Sequence, residues 1–464
     1  MNDNIKYNGI WWLPSKPERR LTGTVSYKKD TGLKLELVGS FSEDPFSRDL
    51  QDEIPIILGH LTNGKNCTLT KSLLLNKNLT FPGIAELILE PTELFIGAHF
   101  QEVNEIKIFS LSTAFSNLSE WVWIDGFSIR NDPNSKKSVI EYQLPETIEF
   151  ELNHEFTLKI NFLATASGMA RVNKEATIKQ NVELIISSKE ERSFVDFFDI
   201  AIKIKRFLSL AVNRDVHILK ISGKSSKNMI DLRGNPYYDP IGIFLRYSKI
   251  KEESKIDPED MLFTYRHIGE RFSNILQNWL VLYEKFEPVM NLLFSTAYNN
   301  EASIENRFLN LAQAIESFHR KKFGGTYMEK EKYMNNVYPL LLQSIPNDIS
   351  RDFRQSLEKK FEYGYQFSLR KRLRELFKSN GSFINNLFAE PEGLLKKINQ
   401  TRNYYTHFED KDAFVKSGTA LFYLAEKVKL MLIVSFLFDM GFAKEEITYI
   451  TTNNENFQTI IKAE

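Results

Sequence analysis

Arg402-Asn403-Tyr404-Tyr405-Thr406-His407 is the stretch from which the rest of the chain is best read. A helical pattern, Leu394 to Gln400, precedes it, and an apolar one, Phe414 to Phe438, follows. It gathers a permanent cation, an amide and an imidazole within two helical turns. In a helix Asn403 and His407, four apart, share a face. Arg402 then stands about 140° round from His407, an offset that a long Arg side chain spans in part. Arginine grips phosphate oxygens in a fork, and histidine moves protons near neutral pH. Those are two of the groups that an RNA-cleaving site needs. The spacing alone is compatible with an ordinary surface helix whose histidine is incidental.

An arginine, a polar residue, three further residues and a histidine is the pattern of the HEPN ribonuclease superfamily. Residues 402–407 resemble it, with Asn403 as the polar second residue. Three other segments resemble the ApeA-like HEPN proteins, a subgroup associated with abortive infection in bacteria. They are FLNLAQAIESFHR at 308–320, SLRKRLRELF at 368–377 and GIWWLP at 9–14. The resemblance covers most of the chain, and the ordered set is more specific than the six-residue motif. It implies a helical HEPN ribonuclease domain, with Arg402, Asn403 and His407 as catalytic residues and infection-triggered cleavage of host or phage RNA, tRNA among the candidates.

The totals bound the rest. A chain of 464 residues is too long for one ordinary core, so two or more domains are expected. Sixty basic and sixty acidic residues cancel, so any RNA site must be a local patch. Cys67 is the only cysteine, which excludes an intrachain disulfide and a cysteine-based zinc site and fits a reducing cytoplasm. Met1 to Tyr7 lack the apolar core of an export signal. The longest apolar run, Leu430 to Phe438, is nine residues, far short of the roughly 20 that span a bilayer. A soluble, cytoplasmic protein with no membrane partner is the expectation.

Residues 1 to about 185 read as short strands. Thr22 to Tyr27 and Leu33 to Leu37 alternate around the turn Lys28-Lys29-Asp30-Thr31-Gly32. Ile54 to Leu58, Cys67 to Leu74, Ala85 to Leu89, Glu105 to Leu111, Trp121 to Ile124, Phe156 to Phe162 and Val182 to Ser187 follow. Many short strands divided by turn residues predict a sandwich or a barrel-like sheet. The aromatic pairs Trp11-Trp12 and Trp121-Val122-Trp123 read first as packing and second as a platform for a ligand. Phe194, Phe197, Phe198, Ala201, Ile204, Leu208 and Ala211 recur at helical spacing within Glu190 to Ala211. Val216 to Ser222 returns to strand, and Ile230 to Ile243, rich in Gly and Pro, is irregular or turns sharply.

The charged segment Lys249 to Pro258 marks the boundary. The prediction is therefore an α+β chain: residues 1–250 a β-rich domain and candidate sensor, residues 251–464 an all-α HEPN bundle. Helical patterns begin at Pro258-Glu259-Asp260, with Asp257 as cap, and run from Glu259 to Phe294 with a break near Pro288. They continue over Ser303 to Lys322, Lys330 to Gln343, Ile349 to Tyr363, Ser368 to Ser379, Ile384 to Phe388, Glu392 to Phe408 and Asp412 to Met440. In Ser303 to Lys322 the buried stripe is Phe308, Leu311, Ala312, Ile315 and Phe318.

Metal-free RNA cleavage needs a base for the ribose 2′-OH, an acid for the leaving 5′-oxygen, and a cation on the phosphorane. His407 can be the base or the acid, and Arg402 can hold the phosphate. Asn403 orients the site or bonds the phosphate. Tyr404 can support it by stacking on a base, although packing is the commoner role for at least one of Tyr404 and Tyr405. Glu316, three before His319, can orient His407 across the bundle or sit in an ion pair with an arginine. The segment Arg351 to Lys378 carries nine Lys or Arg against four acids. Within it Arg370, Lys371, Arg372 and Arg374 are the candidate grip on RNA, with a solvated helix face as the bland alternative.

One motif supplies one imidazole and leaves a proton-transfer role unfilled. The family resemblance implies a homodimer or higher homo-oligomer that brings two motifs into one cleft, with 2′,3′-cyclic phosphate and 5′-hydroxyl products. It also leaves a phage-derived trigger as a partner to expect. No cofactor or metal is expected. Glu316 and His319 form a lone Glu-x-x-His without the second copy that a di-iron site requires, and His60, His99, His154, His217 and His267 lack metal-ligand spacing. The rival reading is an inert HEPN scaffold or a nucleotide- or protein-binding module.

Overall fold

The computed structural model describes residues 4–42, 52–78, 83–132, 137–167, 176–246, 255–297, 302–407 and 413–463. The chain forms two compact units, Met1–Gln277 and Asn278–Glu464. The architecture is the expected α+β one, β-rich first and helical after. The charged turn Glu409-Asp410-Lys411-Asp412 and most of the segment 249–258 lie outside the described residues.

The first unit starts with six antiparallel strands: β1 (Ile5–Leu13), β2 (Lys16–Lys28), β3 (Gly32–Val38), β4 (Glu53–Leu61), β5 (Asn66–Asn78) and β6 (Glu86–Glu90). Their order is β5-β4-β1-β2-β3-β6, and β6 pairs back onto β5, so the six close into a barrel. Closure removes the sheet edges that would otherwise be left unpaired. Alternation along the strands fills the interior with Trp11, Val25, Tyr27, Leu35, Leu37, Ile57, Leu69, Leu87 and Leu89. Gly59 is required at the Trp11 ring, because a Cβ there would lie 2.4 Å from it.

The barrel shares β5 with the rest of a 13-stranded sheet. The first part of β5, Cys67 to Thr70, pairs with β7 (Glu93–Ile96), and the second part, from Leu73, pairs with β6. Lys71 between them has φ +42°, and a register shift follows at Leu74/Asn76. The strand bends there, and that bend lets one strand serve two sheets.

Further strands are β8 (Lys107–Phe115), β9 (Phe127–Asp132), β10 (Lys137–Tyr142), β11 (Ile148–Glu151), β12 (Phe156–Ala166), β13 (Ile178–Ser193), β14 (Ile218–Lys224), β15 (Met229–Leu232), β16 (Asn235–Tyr238) and β17 (Ile241–Leu245). Beyond β7 the sheet runs β17-β14-β8-β13-β12-β11, while β9–β10 and β15–β16 are separate two-stranded ribbons. The helices here are α1 (Leu118–Val122), α2 (Phe194–Val212) and α3 (Tyr265–Ile268). The predicted stripe of α2 is buried at Phe194, Phe197, Ala201, Ile204, Leu208 and Ala211.

Two expectations need correction here. Trp121 to Ile124, read as a strand, contains the end of the one-turn helix α1, flanked by Asn117 and Trp123 in left-handed conformation. Tertiary packing overrides the local β preference, since the Trp121 ring is buried against Phe207, Tyr265 and Phe272. The helix expected from Glu259 is only a short turn capped by Asp257, and extended backbone separates it from α3. Met261, Leu262 and Phe263 are all buried there, an apolar run that suits an extended strand of core contacts.

The remaining helices are α4 (Phe272–Lys285), α5 (Glu287–Ala297), α6 (Ile304–Phe323), α7 (Lys330–Asn336), α8 (Tyr338–Gln343), α9 (Arg351–Glu362), α10 (Leu369–Leu387), α11 (Pro391–His407), α12 (Gly418–Met440), α13 (Lys444–Asn453) and α14 (Glu455–Lys462). The last two were not anticipated, and their short, polar-rich patterns explain why. In α12 the buried residues run round every face, as expected for a helix at the centre of a bundle. It lies parallel to α6: Arg307 meets Glu426 near one end, and Lys322 meets Asp439 near the other. The predicted α6 stripe, Phe308, Leu311, Ala312, Ile315 and Phe318, is buried, with Ser303 capping its start. Lys330 to Gln343 splits at Val337, one residue before a helix start that carries Pro339. Ser379 to Ser382 break the helical backbone inside α10, in the gap between the helical patterns that end at Ser379 and resume at Ile384.

Candidate functional site

The motif occupies the last turn and a half of α11. Leu394, Leu395, Ile398 and Thr401 turn inward, so Arg402 begins just past the buried face. Arg402 is half-buried, and one of its Nη1 hydrogens is donated to Asn403 Oδ1 at 3.3 Å. Asn403 thus acts first on the guanidinium, holding it beside the helix. His407 is exposed at the helix end, where its imidazole is open to a substrate. Thr406 Oγ1 donates back to the Arg402 carbonyl at 2.7 Å, tying the turn together.

Two residues pin this end of α11 to the chain that enters α12. Buried Thr401 accepts the Lys416 N–H on Oγ1 at 3.1 Å. The Tyr405 hydroxyl donates to the Lys416 carbonyl at 3.3 Å. Tyr404 and Tyr405 meet edge to face at 5.0 Å. Burial, then the Glu305 carboxylate, then Tyr404 raise the Tyr405 phenol above its ordinary value, so it stays protonated and donates. Tyr405 therefore packs and positions, while Tyr404, half-buried, keeps part of its surface outside. Thr401 and Lys416 were missed in the sequence; the one available signal was Thr401 standing one turn before Tyr405.

Glu316 pairs with Arg320 one turn along α6 at 3.2 Å. His319, on the same helix, is 1% exposed. Its Nε2 is 3.1 Å from Glu375 Oε2, and its Nδ1 is 3.5 Å from Arg372 Nη1. A guanidinium can only donate, so Nδ1 accepts and Nε2 carries the proton given to Glu375. Burial holds this imidazole below its ordinary value, as does the Arg372 charge, against the opposing pull of Glu375.

The expected RNA grip on α10 divides. Arg372 does not face solvent: it is 1% exposed and donates to the carbonyls of Gly324, Gly325 and Phe367 at 2.9, 3.2 and 3.2 Å. It closes the C-terminal end of α6, whose last carbonyls lack helical partners. Gly325 leaves it room, since a Cβ would lie 2.4 Å from Nη1. The helical period explains the correction, for Arg372 lies between Leu369 and Leu376 on the buried face. Arg374 is on the surface but is held by Glu392 through two bonds of 3.0 and 2.9 Å. Arg370 lies 3.7 Å from the same carboxylate. Lys371 is 3.4 Å from Glu375 and 5.2 Å from the Phe367 ring.

Residues 6–279 match the family model of ApeA N-terminal domain 1, and residues 309–446 match that of Apea-like HEPN. The chain belongs to the ApeA-like HEPN family. No curated protein and no solved structure matches it. The HEPN match takes in most of α6 and all of α10, α11 and α12, the helices that carry and brace the motif. This ApeA-like chain is a HEPN-type anti-phage defence protein, and its HEPN domain is of a nuclease type whose members often bind RNA and dimerise. No helix among its described residues is long and apolar enough to cross a membrane. No cluster of three or more His, Cys, Asp or Glu side chains among them could hold a metal ion.

Proposed function

We propose that this chain is an endoribonuclease of the HEPN type, cutting host or phage RNA, with tRNA among the candidate substrates, when infection triggers it. The observation that carries the reading is the asymmetry of the motif. Asn403 holds Arg402, Thr401 and Tyr405 pin the helix end, and His407 is left open. That is the division of labour between a fixed phosphate clamp and a group that exchanges protons.

In the reaction, one imidazole takes the proton from the ribose 2′-OH. The 2′-oxygen attacks phosphorus, and the bond to the 5′-oxygen breaks. A second acid protonates the leaving oxygen, giving a 2′,3′-cyclic phosphate and a 5′-hydroxyl. Arg402 neutralises the phosphorane oxygens. The helical unit holds one other histidine, His319, which is buried and engaged by Glu375 and Arg372. The second imidazole is therefore supplied by another copy of the chain, so the working unit is a homodimer or a higher homo-oligomer. No step calls on a metal.

The first unit is the natural sensor of a phage-derived trigger. It offers an open recess of about 570 Å³ lined by Asp125, Phe127, Glu141 and Tyr142.

The test compares the parent chain with Arg402→Ala and His407→Ala on total RNA and on tRNA in EDTA, with the ends mapped. The expected result is cleavage by the parent alone, with cyclic phosphate ends. Cleavage that requires magnesium, or that survives His407→Ala, places the chemistry elsewhere.

A further inference from the structure

With Arg370, Lys371, Arg372 and Arg374 paired or buried, a grip on RNA is sought beside the motif. Lys397 stands one turn before Thr401 and two before Tyr405, on one strip of α11. Lys416 is laid across that strip by its backbone, which bonds Thr401 through N–H and Tyr405 through C=O. Lys427, on α12, donates to the Ala463 carbonyl and lies 5.8 Å from the Phe388 ring. All three lysines are half-buried, so their stems are placed by packing and do not sweep freely through solvent.

Among the described residues no carboxylate lies within ion-pair distance of Lys397, Lys416 or Lys427. Five other cations of this unit, Arg370, Lys371, Arg374, Arg307 and Lys322, each have an acid. Burial, and then the charges of Lys397 and Lys416, hold the Lys427 ammonium below its ordinary value. Three neighbouring like charges, with no counter-charge among the described residues, oppose one another, and an arriving anion relieves that opposition. Arg402 directly follows Thr401 on the same helix, so Lys416, bonded to Thr401 and Tyr405, lies along the turn that carries the clamp.

We propose that Lys397, Lys416 and Lys427 form a cationic ledge that grips the phosphate backbone of single-stranded RNA flanking the bond cut at Arg402 and His407. The proposal rests on the nuclease reading for the identity of its ligand. The part of Tyr404 left at the surface suits single strands, whose unstacked bases can lie against aromatic rings.

The test uses the full chain carrying His407→Ala, so that binding is read without cutting, and a labelled single-stranded RNA oligonucleotide followed by fluorescence anisotropy over a range of salt. Replacing Lys397, Lys416 and Lys427 together by Gln is expected to weaken binding by about tenfold or more and to lower the salt slope by about 2, at about 0.7 per lost phosphate contact. Arg374→Gln, on a side chain already held by Glu392, is expected to bind like its parent. Replacing the same three lysines by Arg keeps the charge and is expected to retain most of the affinity. An unchanged slope in the Gln variant overturns the proposal. So does an Arg variant that melts like its parent yet binds as weakly as the Gln variant, since the effect is then packing. A loss of binding to poly-glutamate but not to RNA assigns the ledge to an acidic protein instead. Ledge-dependent binding with no cleavage by the unmutated chain fails the nuclease reading alone, whereas motif-dependent cleavage with ledge-independent binding fails the ledge alone.

Discussion

The helical unit contains two arginine–histidine pairs of the same chemistry and opposite fate. Arg372 and His319 are each 1% exposed and in contact, and Arg372 has three carbonyl acceptors while His319 has Glu375. Arg402 is half-buried with Asn403 as partner, and His407 is exposed. A buried guanidinium must be fully bonded, and once it is, it has nothing left to offer a phosphate. The first pair therefore holds structure, and the second is left open to solvent, as the proposed chemistry requires. Residue type does not separate them; burial and the number of satisfied donors do.

The sharpest way to break this contrast is to cut both pairs and compare. Arg402→Ala or His407→Ala should lower RNA cleavage by about 10²–10⁴-fold, the usual worth of a positioned proton-transfer or charge-stabilising group. Thermal melting of both variants should remain close to the parent's, because neither side chain is buried. A large fall in melting temperature for His407→Ala would place that residue with the structural pair.

Arg372→Ala should do the reverse. Leaving the ends of α6 and the Phe367 carbonyl without their donor should destabilise the helical unit by about 3 kcal/mol, read by denaturant unfolding. Gly325→Ala should act in the same direction, by pushing on the guanidinium and straining a residue at φ +91°. A folded, fully stable Arg372→Ala would dissolve the distinction from the other side.

A smaller effect is expected with pH. The His319 imidazole titrates below its ordinary value of 6.5 in the folded chain, chiefly through burial. Below about 6.5 the unfolded chain then binds the extra proton and the folded chain resists it, so stability rises with pH across that window. It is intact above the window and declines as pH falls through it. Denaturant midpoints measured from pH 7.5 down to pH 5 should decline, and His319→Gln should flatten the decline if the surrounding bonds survive. The smallest effect should come from Arg374→Gln, a half-buried surface residue already engaged by Glu392: melting and RNA affinity should both be indistinguishable from the parent's.

Much of this was legible before any coordinates. The strand alternation from Thr22 to Leu37, the stripe of Phe308 to Phe318 and the Asp257 cap each follow from local rules of period and capping, and all three form. The helix α11 was legible for the same reason, while the motif on it was read from its resemblance to the HEPN pattern. Trp121 was not, because its one-turn helix is set by Phe207, Tyr265 and Phe272, which lie far along the chain. Arg372 was misplaced because the run Arg370-Lys371-Arg372-Leu373-Arg374 looks uniformly basic, while the helix turns one of its arginines inward.

The sequence by itself determined the class of each half and the two-part order, since these depend on composition and period within short windows, and its resemblance to the HEPN pattern located the Arg402–His407 motif. Only the tertiary structure decided that β6 closes a barrel on β5, that Arg372 and His319 are sealed in the bundle, and that the charges of Lys397 and Lys416 bear on Lys427. Those outcomes depend on which distant residues end up within a few ångströms of one another. Desolvation and charge pairing act at that range, and no local pattern encodes it.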